Sequence, residues 1–389
     1  MNHCTLASME AITYITILST GAYLLIIAGM IIAWLRTPTY KPPDTYLPRQ
    51  SCSLIVPARN EEEHIRACLQ SLCEQEYPAD LREIFLIDDF SEDRTPFIAA
   101  TFAPDVRLLR MRDEAPNARG PAFKKRALAA GISQSANKYI LTTDADCISP
   151  PGRLRNLLFQ MEKKGLHALT APVLIHRPET LWEHFQALDF LALMGVTALG
   201  QATRLMPLAN GANFCFTREA FEAVNGYEGI DDIASGDDVL LMKKIRKKFR
   251  KKTAFAKNPE AAVFTKAEPT LLAFLRQRLR WAAKTNSHGD KASQYISSIV
   301  WGNSTALLMA FTIALDYPEF FPVFYTCLAA NAIADYLFLH IAAKTFGQTK
   351  SLRYFVPAFL MQRLYVLFIG MAASLPFLRI SWKNRKIKK

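Results

Sequence analysis

Two aspartates one residue apart, in Thr142-Thr143-Asp144-Ala145-Asp146, have a spacing that points directly to chemistry. Such a pair can share a hard divalent cation, Mg2+ or Mn2+, which takes oxygen ligands and completes its shell with substrate phosphates. Acidic loops are common, so the pair gains meaning from its company. Asp88-Asp89 closes an apolar run elsewhere, where a carboxylate can accept a hydrogen bond from a nucleobase ring N–H. The stretch Asp88-Asp89-Phe90-Ser91-Glu92-Asp93 equally suits a turn or a helix cap. Asp237-Asp238 follows Ser235-Gly236 and opens an amphipathic segment, so an Asp there is a general base or an N-cap. Gln277-Arg278-Leu279-Arg280-Trp281 offers two guanidinium groups for a diphosphate and a ring for a sugar face. An interfacial helix with a belt tryptophan has the same composition.

Loops that carry such residues need a rigid frame, and the chain has the periodicities of one. Residues 52–56 (CSLIV) form a short apolar run stopped by Pro57, and residues 84–87 form another stopped by Asp88-Asp89. Runs of this length between turn signals read as buried strands. Residues 107–109 and 139–142 suggest a third and a fourth. Residues 61–72 and 124–132 have helical spacing, the first with an acidic opening turn. Strands alternating with helices predict an open α/β domain with a mostly parallel sheet. Ligands bind such sheets beyond the carboxyl ends of the strands. Arg59-Asn60, Asp88-Asp89 and Asp144-Ala145-Asp146 stand at those ends.

Apolar runs flank this domain. Residues 11–35 carry no charge, and residues 296–315, 320–343 and 354–378 are also long enough to cross a bilayer as helices. Arg36 and Lys41 follow the first run and no basic segment precedes it. That argues a retained span over a cleaved signal peptide, with residues 1–10 outside and the next domain in the cytosol. By the same rule the acidic loop of Asp316 and Glu319 lies outside and the basic stretch 344–353 inside. A third crossing would leave the basic tail 379–389 outside, so 354–378, interrupted by Gln362-Arg363, reads as transmembrane or re-entrant. Residues 36–50, with four prolines, form a linker to a catalytic stretch 51–265, and residues 266–295 form an interfacial helix before the membrane.

The formal charge of +12 suits nucleic acid, an anionic membrane face or phosphorylated substrates. Residues 243–252 concentrate it, but no recognition fold or aromatic platform accompanies them, which favours lipid headgroups over nucleic acid. Seven cysteines include no C-x-x-C pair, which excludes a zinc ribbon or thioredoxin-like motif and leaves reduced packing thiols. The seven histidines lack ligand spacing. Residues 180–204 are helical with a Met and Leu stripe, either a buried core helix or the wall of an acceptor path.

Taken in order, these segments resemble glycosyltransferase family 2, in its membrane-bound branch with chitin, hyaluronan, cellulose and poly-N-acetylglucosamine synthases. Val56-Pro57-Ala58-Arg59-Asn60-Glu61 is similar to the family's opening strand and loop, and Ile87 to Thr95 to its V-D-D-x-S-x-D-x-T segment. Lys124-Lys125-Arg126-Ala127-Leu128-Ala129-Ala130-Gly131 resembles the G-K-x-x-A-L-N-x-G helix, with Phe123 for the first Gly and Ala129 for the Asn. Asp144-Ala145-Asp146 matches D-x-D, and Asn210-Gly211-Ala212 with Val224-Asn225-Gly226-Tyr227 resembles the acceptor side. Asp237-Asp238 stands where the family has E-D, and Gln277 to Trp281 fits Q-x-x-R-W. One N-terminal span is visible where many synthases have two.

The resemblance implies a GT-A fold and an inverting transfer of sugar from a nucleotide-sugar, most often a UDP-sugar, to a glycolipid or polysaccharide at the membrane. It implies a divalent metal at Asp144 and Asp146. It assigns donor binding to Pro57, Ala58, Arg59, Asn60, Glu61, Asp88, Asp89, Lys124, Lys125, Asp144, Gln277 and Trp281. Catalysis falls to Asp238 as base with Asp237, and to Arg278 and Arg280 on the leaving diphosphate. The implied setting is an integral protein of the plasma or inner membrane, with a partner subunit allowed and nucleic acid not expected. Transfer to a polyprenyl phosphate and a catalytically silent membrane scaffold are the alternatives. A nucleotidyltransferase would need a Gly-rich opening loop, and Pro57-Ala58-Arg59-Asn60 is not one.

Overall fold

The structure is a computed structural model that describes residues 3–114, 122–233, 236–287, 290–374, 380–382 and 385–387. Residues 1–2 of the N-terminal segment, Ser235, residues 288–289 of the segment 266–295, residues 375–378 of the last apolar run, and 379, 383–384 and 388–389 of the basic tail lie outside the described residues. The chain divides into two compact units: residues 37–177, 200–267 and 379–389 form an α/β unit, and residues 1–36, 178–199 and 268–378 form a helical one.

In the α/β unit the expected strands are present as β1 (Cys52–Ala58), β2 (Arg82–Asp88), β3 (Val106–Arg110) and β4 (Tyr139–Thr142). They are followed by β5 (Ala168–Thr170), β6 (Val173–Ile175), β7 (Phe214–Thr217), β8 (Thr253–Phe255) and β9 (Val263–Thr265). The main sheet has the order β3-β2-β1-β4-β7-β5-β8, and β6 pairs separately with β9. β1 runs parallel to both β2 and β4, while β7 is antiparallel to β4 and β5. The chain therefore leaves β1 toward β2 on one side and returns to β4 on the other. This is the strand-order reversal at which open α/β sheets hold ligands. The centre of the sheet is apolar on both faces, with Leu54, Ile55 and Val56 all fully buried, as parallel sheets covered on both sides require.

The helix Phe123–Gln134 covers one face, and a glycine sets how closely. A Cβ on Gly131 would stand 2.8 Å from methyls of Ile55 and Ile87, inside van der Waals contact. Gly131→Val should therefore destabilise the α/β unit by about 1–3 kcal/mol, the usual cost of overpacking a filled core. A thermal melt that matched the parent protein would refute this account of the helix–sheet contact.

The helix expected over 61–72 begins only at Ile65. Asn60 takes a positive φ of 51°, and Glu61 and Glu62 donate their backbone N–H groups to the side chains of Thr95 and Asp93. The first four residues are thereby drawn into a loop between β1 and β2.

Among the described residues five helices are long and apolar enough to cross a membrane: Glu10–Arg36, Leu181–Thr203, Lys291–Asp316, Pro318–Phe346 and Thr349–Ala373. The second corrects the expected layout. Residues 178–199 interrupt the stretch 51–265 and belong to the helical unit. Their helix is 72% buried, against 22–33% for the others. The reason lies in its polar residues, which find their partners within the helical unit: Asp189 accepts from Tyr365 Oη at 2.5 Å, and His184 Nδ1 lies 2.9 Å from Ser351 Oγ. Cys52, Cys68, Cys147, Cys215 and Cys327 are free and buried, as packing thiols should be.

Candidate active site

The loops after β1 and β2 lock together through short polar side chains. Asp89 N–H donates to Ala58 O at 2.8 Å, extending the ladder one residue past the strands. Arg59 Nη1 donates to Asp89 O at 3.0 Å, Asn60 N–H to Ser91 Oγ at 3.0 Å, and Glu92 N–H to Asn60 Oδ1 at 2.9 Å. Asp88 accepts from Ser91 N–H at 3.2 Å, which is the work of a turn former. Asp89 is buried beside it at 5% exposure. Asp93 feels some burial, which favours its neutral form. Hydrogen bonds from Thr95 and from backbone N–H groups outweigh this and hold its carboxyl below the usual range.

Past β4, Thr142 and Thr143 donate their hydroxyls to Gly211 O at 2.7 Å and Ala212 O at 2.8 Å. That places the Asn210-Gly211-Ala212 turn against the Asp144-Ala145-Asp146 loop. Lys124, near the start of its helix, reaches both sides: its Nζ stands 2.7 Å from Asp144 Oδ1 and 3.5 Å from Asp237 Oδ2. Burial alone would lower the ammonium's pKa, but the facing carboxylates of Asp144 and Asp237 outweigh it and hold the pKa raised. Lys125, only 2% exposed, donates to the carbonyls of Ile230 and Ile233 at 2.7 Å each. It anchors the backbone shortly before Asp237.

Asp237 and Asp238 open the helix Asp237–Lys248, and they differ. Asp237 is buried and paired with Lys124. Asp238 is half-buried and accepts two backbone bonds, from Gly211 N–H at 2.8 Å on Oδ2 and from Val239 N–H at 2.7 Å on Oδ1. A Cβ on Gly211 would stand 3.2 Å from Asp237 Oδ2 and 3.3 Å from Asp238 Oδ2, so a side chain there would press on both carboxylates.

Asp146 accepts from Thr265 Oγ1, on β9, at 3.2 Å. Burial, and then the charge of Asp144, push its carboxyl upward. Among the described residues no group of three or more His, Cys, Asp or Glu is arranged to hold a metal. The donor set still fits a hard cation of the Mg2+ or Mn2+ kind, which is usually bound by one or two carboxylates with substrate phosphates and water making up the rest. Asp146 crowds against the charge of Asp144, and Lys124 is shared between Asp144 and Asp237, which leaves the loop short of positive charge, as such a site should be. Sequence reasoning missed the support beneath this loop. Arg153, fully buried, donates to Thr142 O, Ser149 Oγ and Asn213 Oδ1, and burial pulls its pKa down to about 10.

The Q-x-x-R-W residues lie in the helical unit, on the helix Leu271–Ser287. Gln277 Nε2 donates to Glu268 Oε1 at 2.7 Å. The Arg278 guanidinium lies 2.5 Å from Asp189 Oδ2 and packs on the rings of Trp281, Phe274 and Phe190 at 4.3, 4.7 and 5.2 Å. Arg280 is half-buried. Within its own unit, Arg278 is thus committed to a carboxylate and three rings.

A glycosyl transferase family group 2 profile matches residues 139–371, and a glycosyl transferase family 2 profile matches residues 53–224. The chain belongs to glycosyltransferase family 2. This glycosyltransferase is 27% identical over 257 residues to the beta-monoglucosyldiacylglycerol synthase of a Synechocystis species, a match over 63% of this chain and 51% of that one. It is 27% identical over 262 residues to an N-acetylglucosaminyltransferase of Rhizobium meliloti, over 61% of this chain and 56% of the relative. The chain thus spans about half the length of the curated relatives it matches. The fold matches a mannosyltransferase of Pyrobaculum calidifontis solved with GDP-Man and Mn2+, with a TM-score of 0.54 and 23% identity, over 91% of this chain and 99% of that one. The glycosyltransferase accordingly has the GT-A fold.

Proposed function

We propose that this glycosyltransferase transfers a sugar, with inversion, from a UDP-sugar to a glycolipid or polysaccharide acceptor at the membrane in which its helical unit is embedded, with the α/β unit in the cytosol. The observation that carries the reading is Lys124, which joins Asp144 of the D-x-D loop to Asp237 at the start of the base helix. The same few residues thereby face both the leaving diphosphate and the attacking hydroxyl. Asp238, accessible and aimed by Gly211 N–H, takes the acceptor proton; Asp237 acts through Lys124 as a positioning residue. Asp144 and Asp146 would hold Mg2+ or Mn2+, which supplies positive charge to the departing diphosphate. Lys124 adds a charge of its own beside it. Asp89, with Pro57, Ala58, Arg59, Asn60 and Glu61 around it, receives the base and ribose. On the helical unit, Arg278 is a positioning residue for Trp281, which meets a sugar face, while Arg280 remains the candidate for the diphosphate. Glycolipid chemistry in a relative's name, five helices of membrane-spanning length and the Q-x-x-R-W segment support a membrane acceptor.

The test is turnover of donor by membranes bearing the protein, given a panel of UDP- and GDP-sugars with Mn2+ or Mg2+ and a lipid extract. Release of nucleoside diphosphate from one UDP-sugar, abolished by a chelator and accompanied by labelled glycolipid or glycan, is expected. Silence with every donor would instead favour a catalytically inert scaffold.

A further inference from the structure

The acidic loop after β4 treats its two aspartates differently. Asp144 faces the Lys124 ammonium at 2.7 Å. Asp146 is held through both carboxylate oxygens by uncharged groups: Thr265 Oγ1 donates to Oδ2 at 3.2 Å, and the Cys147 thiol lies 3.6 Å from Oδ1. Each oxygen of an ionised carboxylate has two lone pairs, so one direction on each oxygen stays open beside these donors. Asp144 shares its charge with an ammonium, whereas neutral donors orient Asp146 and leave its charge for a cation.

Thr265 is fixed where it stands. It ends β9 in register with Ile175 of β6, and its carbonyl accepts from His176 N–H at 2.8 Å. One residue earlier, Phe264 exchanges two backbone bonds with Ile148, whose N–H donates to Phe264 O at 2.8 Å and whose carbonyl accepts from Phe264 N–H at 2.9 Å. The strand is thereby tied to the acidic loop two residues past Asp146. The branched Cβ of threonine restricts its χ1, so the backbone that fixes Thr265 also sets the direction of its hydroxyl. The loop closes on itself through Cys147 N–H to Asp144 O at 3.1 Å. A hydroxyl 119 residues along the chain from Asp146 therefore meets a carboxylate whose own backbone is already set.

We propose that Thr265 is a positioning residue for the divalent cation, its hydroxyl aiming the Asp146 carboxylate at the metal. The inference rests on the transferase reading above, with Asp146 as a metal ligand, and adds to it a residue that lies in none of the sequence motifs. Hydrogen-bond partners behind a ligating carboxylate are typically worth about 10–100-fold in metal affinity. The Thr265 bond is long for a hydroxyl donor, which puts the expected effect at the lower end.

Calorimetric titration of Mn2+ into the full chain in detergent micelles, with UDP saturating, reads this effect without turnover. Thr265→Val keeps the shape of the side chain and loses the donor, so it should raise the Kd for Mn2+ about tenfold. Thr265→Ser keeps the donor and loses the methyl group, and should stay close to the parent value. Packing of the methyl group alone would invert that order, with Ser the worse of the two. An inverted order, or a parental Kd in Thr265→Val, would overturn the proposal. Should Thr265→Val fail to fold, Thr265→Ala and Thr265→Ser differ by the hydroxyl alone, and equal Kd values in that pair would overturn it too. A parent protein that binds no Mn2+ in the presence of UDP would sink the metal reading and this inference together, whereas parental binding in the variants sinks this inference alone.

Discussion

Asp238→Asn is expected to lower kcat for sugar transfer by about 10²–10⁴, the usual worth of a positioned general base, while donor affinity stays within about twofold. The substitution is isosteric, and its remaining carbonyl oxygen can still accept from Gly211 N–H, the bond that aims the side chain in the parent protein at 2.8 Å. What it removes is the ability to take a proton, together with the acceptor for Val239 N–H at 2.7 Å, whose loss bears on the local helix start more than on the donor site. Asp237→Asn provides the contrast. It weakens the pairing with Lys124 at 3.5 Å but leaves Asp238 intact, so its effect should be smaller and should include a weaker grip on the donor. The measurement is steady-state kinetics with separate titration of a non-hydrolysable donor analogue. Parental turnover in the Asp238 variant, or a larger loss from Asp237 than from Asp238, would reverse the two roles.

The elements that position these residues were readable because each announces itself locally. β1, β2 and β4 are short apolar runs that stop at Pro or Asp, and a buried parallel strand has no other local signature. The roles within the loops were less readable, because they depend on partners far along the chain. Asp88 and Asp89 are adjacent, yet one accepts from a turn N–H while the other is buried behind it; sequence left both as base readers or caps. Lys124 and Lys125 read as a like pair, but one faces the acidic loop and the other is sealed onto two carbonyls. Arg153 gave no signal, since an arginine in an amphipathic helix ordinarily faces solvent. The helix Leu181–Thr203 was legible as a helix and as a buried one, but its place in the helical unit was not. Its Glu183, His184 and Asp189 lower its hydropathy to 1.2, below that of the other four. A carboxylate in an otherwise apolar helix asks for a cation, and Arg278 meets that demand at Asp189.

That demand for a balancing charge also governs the acidic loop and leads to the other large effect. Asp144 and Asp146 provide two carboxylates, and Lys124 already lies 2.7 Å from one of them. With so few protein ligands, Mn2+ should bind the chain weakly alone and at least tenfold more tightly once a nucleoside diphosphate adds its phosphate oxygens. Electron paramagnetic resonance of free Mn2+ reads this without turnover: its signal should fall sharply only when UDP is added with the protein. Asp146→Asn should abolish that UDP-dependent fall, because the variant loses a negative charge from a side chain that Thr265 and Cys147 hydrogen-bond in place. Asp144→Asn should weaken it less, since it also frees the Lys124 ammonium to meet the diphosphate directly. Tight Mn2+ binding without nucleotide would mean that the protein supplies further ligands. An undiminished UDP-dependent signal in Asp146→Asn would move the metal off this loop, and with it the assignment of charge stabilisation at the leaving group.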